Sequence, residues 1–170
     1  NWLDIEGEKE LQGHGVSACA TCDGFFFKDK NVIVVGGGDS AMEEALFLTK
    51  FANNVTIVHR RDSFRASKIM QERVLNHDQI QVSWNKEVIE IKGNGKVSSV
   101  VLKDSQTKKE EEKDIDGVFI AIGHTPNVDF LNGFLDLDEK GYIKTGITTA
   151  TSTSVPGVFA AGDVADSIYR

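Results

Sequence analysis

The sequence has 170 residues, of which 40% are hydrophobic and 26% are charged, and its formal net charge is −7. This length allows one sizeable hydrophobic core and part of a second. The acidic balance argues against nucleic acid or an anionic membrane as the main partner, and no apolar run approaches the roughly 20 residues that span a bilayer. Residues 1–10 do not resemble a signal peptide, so we expect a cytoplasmic protein in a reducing environment.

The two cysteines of the chain, Cys19 and Cys22, stand together as Cys-Ala-Thr-Cys. The polar, glycine-rich residues 1–18 before them are expected to form a linker and an approach loop. A dithiol at this spacing closes a small ring that can be oxidised and reduced, and the neighbouring Asp23 could give or take a proton, because only a thiolate attacks.

Two other uses of the cysteine pair are less compatible with the sequence. A structural disulfide is disfavoured in a reducing compartment. A zinc site needs two further ligands, and the histidines are scattered without finger-like spacing: His14, His59, His77 and His124.

A β-α-β unit follows the cysteine pair. Asn31–Val35 is a short apolar strand that leads into three glycines. Apolar residues recur at helical spacing from Asp39 to Phe51, with Asp39 able to cap the helix, and Val55–Val58 predicts a second strand. The unit implies parallel strands with a right-handed crossover.

The remaining elements predict a Rossmann-like α/β fold with a parallel sheet and a small β-meander. A helix is expected near Arg65–Asn76 with Ile69, Met70 and Val74 on one face, and the charged run Lys108–Asp114 is expected to be a solvated loop. Further strands are predicted at 80–83, 88–92, 97–102 and 118–122, with a hairpin turn at 93–95. A domain boundary is expected near residue 124, after which the chain is rich in turns.

The turn Gly36–Ala41 fits the pattern G-x-G-x-x-A between a strand and a helix. Gly36 would permit the tight turn, Gly38 would let the backbone approach a pyrophosphate, and Ala41 would allow close helix–strand packing. The helix N-terminus would direct N–H groups at the phosphates. A glycine turn without a ligand is the alternative, but the strand–turn–helix context favours a dinucleotide.

The end of the second strand indicates which dinucleotide binds. NAD-binding proteins carry an acidic residue there for the ribose hydroxyls, whereas this sequence has His59, Arg60 and Arg61, followed by Arg65. Guanidinium groups can bind a 2′-phosphate through paired hydrogen bonds. A solvated basic helix start is the alternative, but the position favours NADP(H).

Five stretches of the sequence together resemble the low-molecular-weight, bacterial-type thioredoxin reductases. They occur in that family's order and spacing: Ser17–Gly24, Gly36–Ala41, His59–Ala66, Ala121–His124 and Pro156–Val164. The resemblance covers essentially the whole chain. It agrees with the chemistry, since a flavin normally stands between a nicotinamide and a disulfide.

The resemblance implies a role for each matching residue. Cys19 and Cys22 would be the redox disulfide, with Cys22 nearer the flavin and Asp23 the proton donor. The NADPH pyrophosphate would contact Gly37, Gly38, Asp39 and Ser40, and the 2′-phosphate Arg60, Arg61 and Arg65. Cofactor contacts are also expected from Gly36, His59, Ile122 and Gly123, and Asp163 would contact FAD.

The resemblance also implies a domain plan. Residues 1–8 would be a linker from an FAD domain, 9–124 an NADPH-binding domain, and 125–170 part of the FAD domain. The family's own FAD-binding glycine motif would precede the cysteine pair, and a helix would follow Tyr169–Arg170. Family members are homodimers that reduce thioredoxin in the cytoplasm, and their NADPH domain is thought to rotate.

Two alternatives to this function remain. A sister flavoprotein that serves a peroxidase is disfavoured, because such relatives tend to differ at both the Cys-Ala-Thr-Cys and the arginine cluster. The chain could also be an NADPH-binding module without turnover.

Overall fold

A five-stranded parallel sheet organises the first part of the chain. The structure, a computed structural model, describes residues 1–166 and divides into the unit Asn1–Gly123 and a second unit that starts at His124. The strands are β1 (Val16–Ser17), β2 (Asn31–Gly36), β3 (Asn54–His59), β4 (Ile80–Trp84), β5 (Lys86–Gly93), β6 (Val97–Asp104), β7 (Glu110–Asp114) and β8 (Gly117–Ala121). The parallel sheet has the order β1-β8-β2-β3-β4, and β5-β6-β7 form a separate antiparallel meander. The predicted α/β class with a parallel sheet and a meander is therefore confirmed.

Three α-helices belong to the same unit, α1 (Ala20–Asp23), α2 (Asp39–Leu48) and α3 (Lys68–Leu75), and a short 3-10 helix, Gly24–Phe27, follows α1. Helix α2 ends three residues earlier than predicted, and its N-cap is Gly38, so the expected capping by Asp39 is wrong. Helix α3 starts three residues later than predicted. The cause is local, because the N–H groups of Arg65 and Ala66 donate to the Gly37 carbonyl oxygen instead of entering the helix.

The parallel sheet is covered on both faces, as its continuous apolar strands require. Val32 and Val34 of β2 face a core that includes Met42 and Leu48 of α2. The alternate residues of β2, beginning with Ile33, face a second core shared with the meander. The prediction that Ile69 packs on the inner face of α3 is wrong, because its side chain is exposed.

The meander includes a strand where a loop was expected. Lys108–Asp114 was predicted to be solvated loop, but Glu110–Asp114 form β7, which pairs with β6 along its length. The Glu112 carboxylate accepts hydrogen bonds from Ser99 and from Lys92, so charged side chains are satisfied across the strands. Such edge strands use charge to discourage further pairing, and this one lacks the apolar alternation that predicts a strand.

The segment before the cysteines is also more ordered than expected. Residues 16 and 17 form β1 and pair with β8, so the loop prediction for residues 1–18 is wrong there. Glu8 is buried, and its carboxylate accepts hydrogen bonds from the N–H groups of Leu3 and Asp4. This segment is therefore folded onto the unit.

Up to residue 166, the second unit consists of turns, two short 3-10 helices at Asp129–Leu131 and Gly162–Val164, and isolated bridges. Its core is a small cluster around Leu135, Ile143 and Ala160. The expected helix after Tyr169–Arg170 lies outside the described residues. Within residues 1–166, no helix has the length and apolar character needed to cross a bilayer.

Candidate functional site

A cleft of about 560 Å³ opens at the carboxyl ends of β2 and β3 in the first unit. Ligands of open α/β sheets bind at this edge. Most of the residues predicted to bind a cofactor line the cleft: Gly36, Gly37, Gly38, Ser40, His59, Arg60, Arg65, Ile122 and Gly123. The same cleft is lined by residues that the sequence did not indicate, at 2, 3, 5 and 86–89.

The three glycines differ in what surrounds them. A Cβ at Gly36 would meet the Ala121 carbonyl oxygen and the Ala41 side chain, so the turn and the helix–strand packing both need glycine there. A Cβ at Gly37 would overlap the imidazole of His59. A Cβ at Gly38 would meet nothing within 4 Å, which leaves its backbone open to a ligand.

The loop that carries Arg60, Arg61 and Arg65 is joined to the glycine turn by backbone hydrogen bonds. The N–H groups of Arg65 and Ala66 donate to the Gly37 carbonyl oxygen at 2.8 and 3.2 Å. The Asp39 carboxylate accepts hydrogen bonds from the Ser67 N–H at 2.9 Å and from the Ser67 hydroxyl at 2.7 Å. These hydrogen bonds hold the pKa of Asp39 below its ordinary value. Asp39 therefore links the start of α2 to the residue before α3 and does not line the cleft.

The side chain of His59 contacts the loop that carries the arginines at Ser63 and Phe64. Its ring is buried and packs near the rings of Phe64 and Trp84, and its Nε2 lies 3.1 Å from the Ser63 carbonyl oxygen. Because a carbonyl only accepts, Nε2 carries a proton. Burial lowers the pKa of His59, and the charges of Arg65 and Arg61 act in the same direction, whereas backbone hydrogen bonds at Ser63 and Gly36 oppose the shift. The buried ring thus connects the glycine turn with the loop that carries the arginines.

The guanidinium groups are available to an anion. Arg60, Arg61 and Arg65 are all exposed, and within residues 1–166 none of them forms an ion pair with a carboxylate. Arg60 and Arg65 line the cleft, whereas Arg61 does not. Unpaired arginines beside an open glycine turn fit a dinucleotide with an additional phosphate.

The cysteine pair lies at the start of α1. Cys19 and Cys22 form a disulfide, and their Cα atoms are 5.3 Å apart. Cys19 is the N-cap residue, and its sulfur accepts a hydrogen bond from the Cys22 N–H at 3.2 Å. Cys22 is exposed and Cys19 is half-buried.

A carboxyl group that the sequence interpretation missed lies behind this helix. Glu44 of α2 interacts with the backbone N–H of Ala20. Burial raises the pKa of Glu44 to about 7, and the Ala20 N–H opposes that shift. The sequence contained a signal for this residue, because Glu44 lies among Ala41, Ala45 and Leu48 on the apolar stripe of α2.

The predicted site residues belong to different elements of the structure. Those predicted to bind the coenzyme line the cleft, except Asp39 and Arg61, while Cys19, Cys22 and Asp23 belong to α1 and its approach. Asp163 is exposed in the second unit. Within the part of the chain that the structure describes, no three His, Cys, Asp or Glu side chains are grouped as a metal site would need.

The whole sequence, residues 1–170, matches the family described as pyridine nucleotide-disulphide oxidoreductase. The chain belongs to this family. The family description names a pyridine nucleotide and a disulfide, and this structure has a cleft at a glycine turn and a Cys19–Cys22 disulfide. The resemblance to thioredoxin reductases is confirmed by relatives that carry that name.

Two of these relatives are the thioredoxin reductases of Mycolicibacterium smegmatis and Rickettsia conorii. The first is 54% identical over 168 residues, which are 99% of this chain and 54% of the relative. The second is 55% identical over an alignment of 172 positions, which covers 99% of this chain and 55% of the relative. The chain therefore spans about half the length of the curated relatives that it matches.

Solved structures of this family share the fold. Lactococcus lactis thioredoxin reductase, solved in its FR conformation, has 44% identity and a TM-score of 0.84, over 100% of this chain and 56% of that protein. Thioredoxin reductase from Giardia duodenalis has 46% identity and a TM-score of 0.85, with the same coverage of both chains.

Proposed function

We propose that this chain is the NADPH-binding and disulfide-carrying part of a flavoprotein thioredoxin-disulfide reductase, in which electrons pass from NADPH through FAD to Cys19–Cys22 and then to thioredoxin. The observation that carries the proposal is the combination, in one unit, of a Cys-x-x-Cys disulfide with a glycine-turn cleft edged by unpaired arginines. The names of the relatives support it.

The proposal divides the chain by role. Residues 1–8 would be the linker from an FAD domain, 9–124 the NADPH-binding domain with the redox pair, and 125–170 a segment of the FAD domain. The division of the structure after Gly123 supports this plan. So do the exposed apolar side chains of the second unit, such as Phe130 and Phe159, which are 71% and 64% exposed and would pack against further sequence.

NADPH would lie along the cleft. The backbone at Gly37, Gly38 and Ser40, at the N-terminus of α2, would bind the pyrophosphate. Arg60 and Arg65 would bind the 2′-phosphate, and Arg61 would add positive charge nearby. Gly36 and His59 would hold the turn and the loop in place, Asp39 would act through Ser67, and Ile122 and Gly123 would line the opposite wall.

The residues of α1 would carry the disulfide chemistry. Cys22 would be the sulfur nearer the flavin, and Asp23 would donate a proton to the thiolate that forms when the S–S bond is reduced. FAD, when bound, supplies two-electron transfer between the nicotinamide and the disulfide. Asp163 would accept hydrogen bonds from FAD, which its exposed carboxylate allows.

A protein substrate suits the surface beside the disulfide. Phe25 and Phe26 belong to the 3-10 helix that follows α1, and they are 69% and 72% exposed. Exposed neighbouring aromatic rings are common at protein interfaces. We therefore propose thioredoxin as the partner, and a cytoplasmic homodimer as the state of the full-length protein.

Turnover of the full-length, FAD-loaded protein tests the function. We expect thioredoxin reduction with NADPH, little with NADH, and none in the Cys19→Ser variant, although that variant should still let NADPH bleach the flavin. Reduction of a peroxidase disulfide with no reduction of thioredoxin would instead identify the sister function.

The half-length coverage of its relatives also favours a second candidate, an NADPH-binding module. If the 170-residue chain purifies without yellow colour yet binds immobilised NADP, the chain alone is the module and catalysis requires the remaining sequence.

A further inference from the structure

The carboxyl group of Glu44 lies behind the redox helix and has no role in the proposed function. Its Oε2 atom is buried and has no hydrogen-bond partner among residues 1–166, the single such side-chain oxygen or nitrogen atom there. The carboxyl interacts with the N–H of Ala20, the residue that follows Cys19. A buried unpaired carboxylate oxygen is costly, so a native structure that keeps one calls for an explanation.

We propose that Glu44 is a positioning residue for the redox pair, and that its carboxyl group holds a proton whose loss restrains thiolate formation at Cys19 and Cys22. The proposal rests on the proposed function of these cysteines as a redox disulfide. It needs no direct proton transfer between Glu44 and sulfur. Two nearby negative charges disfavour each other, so each ionisation suppresses the other.

Burial is the main cause of the raised pKa of Glu44. The elements packed around α2 carry ionisable side chains at Asp23 of α1, His59 of β3, and Lys68, Glu72 and Arg73 of α3, while α2 itself carries Asp39 and Glu43. None of these charges contributes to the shift, which comes from burial and the Ala20 N–H alone. Strands β2 and β8 contribute no ionisable side chain. With a pKa of about 7, Glu44 changes its charge in the pH range in which reactive thiols ionise.

The redox step then balances as follows. Reduction of the disulfide breaks one S–S bond and takes up two electrons and two protons to give two thiols; a soluble dithiol can supply all four. Loss of a proton from one of the two thiols gives the thiolate that attacks the next disulfide. When Glu44 is protonated, the thiolate is the only one of these two groups that is charged. When Glu44 is ionised, the thiolate adds a second negative charge beside the carboxylate.

Alkylation of the reduced chain tests the coupling without coenzyme, flavin or thioredoxin. The chain is reduced with dithiothreitol, freed of reductant, and treated with iodoacetamide at pH values from 6 to 8. At pH 6, Glu44→Gln and the unchanged chain should react at the same rate. At pH 8 the variant should react about three- to tenfold faster, the size expected from removing one nearby charge at intermediate dielectric.

Glu43→Gln is the matched control, because Glu43 is adjacent but exposed. Its rate should stay within about twofold of the unchanged chain at every pH, since exposed charges are well screened. The proposal is overturned if the Glu44→Gln ratio does not change with pH, or if Glu43→Gln gives the same rise.

A second variant covers the case in which Glu44→Gln does not fold. Glu44→Met keeps an unbranched side chain of similar length and carries no charge. It should react at the same rate as the unchanged chain at pH 6 and about three- to tenfold faster at pH 8. A rate ratio that does not change with pH would overturn the coupling, whereas loss of NADPH turnover would bear only on the proposed function.

Discussion

The imidazole of His59 occupies the space that a side chain at Gly37 would need. The same glycine accepts hydrogen bonds at its carbonyl from Arg65 and Ala66. One residue therefore connects the glycine turn to the loop that carries the arginines. We expect Gly37→Ala to displace His59, to lower the free energy of unfolding by about 1–3 kcal/mol, and to weaken NADPH binding. Urea unfolding and coenzyme titration measure the two effects.

Gly38→Ala separates folding from binding at the neighbouring position. A Cβ there meets no atom, and the φ of −98° suits any residue, so the free energy of unfolding should change by less than about 0.5 kcal/mol. A methyl group should nevertheless keep the pyrophosphate from the backbone and weaken NADPH at least tenfold. Unchanged NADPH affinity would contradict the proposed binding position.

The arginines should recognise the 2′-phosphate selectively. Arg60→Gln and Arg65→Gln should each weaken NADPH by about 1.5–3 kcal/mol, the usual contribution of a charge-assisted hydrogen bond, and leave NADH nearly unchanged. Arg73→Gln is the control, because Arg73 is exposed on α3 and does not line the cleft. Calorimetric titration with both coenzymes gives the comparison, and equal losses for NADPH and NADH would refute the assignment.

Asp39 and Ser67 should act as one unit. The Asp39 carboxylate accepts hydrogen bonds from both the N–H and the hydroxyl of Ser67, so it holds the end of the loop that carries the arginines. Asp39→Ala should lower the free energy of unfolding by about 1–2 kcal/mol and Ser67→Ala by less. The double variant should be little worse than Asp39→Ala alone, as for any shared interaction. Strictly additive losses in urea unfolding would show that the pair does not cooperate.

Glu44 should make stability depend on pH in a defined direction. Its pKa rises on folding from 4.5 to about 7, so the folded form is favoured at low pH and loses that advantage as pH rises through this interval. Relative to the unchanged chain, oxidised Glu44→Gln should therefore gain about 1–2 kcal/mol between pH 4.5 and 8. Full conversion of the shift would exceed this, but the carboxyl is partly exposed and screened. A difference that does not change with pH would argue against burial as the cause.

The fold was predictable because strong local patterns agree with one another. The apolar run of β2, the glycine turn and the spacing of Met42, Ala45 and Leu48 all indicate the same strand–turn–helix. The strand β7 was not predictable, because its residues are all charged and it is held by pairing with β6 and by contacts such as Glu112 to Ser99. Tertiary contacts decide such a strand, and the local sequence does not contain them.

In the candidate site, too, some features follow from the local sequence and others depend on tertiary contacts. The motif positions at Gly38, Arg60 and Arg65 lie where the sequence places them, because a β-α-β unit brings both strand ends to one edge. The role of Asp39 was not predictable, because its hydrogen bonds to Ser67 join residues 28 positions apart. Glu44 was likewise missed, although a carboxyl within an apolar helical stripe is a signal that sequence alone can supply.

The central claim is that the cleft selects a phosphorylated nicotinamide coenzyme. Calorimetric titration of the 170-residue chain with NADPH and with NADH under identical salt conditions tests it most directly. We expect NADPH to bind at least tenfold more tightly than NADH, with the difference shrinking as salt is raised. Equal affinities for the two coenzymes, or no binding of either, would contradict the account.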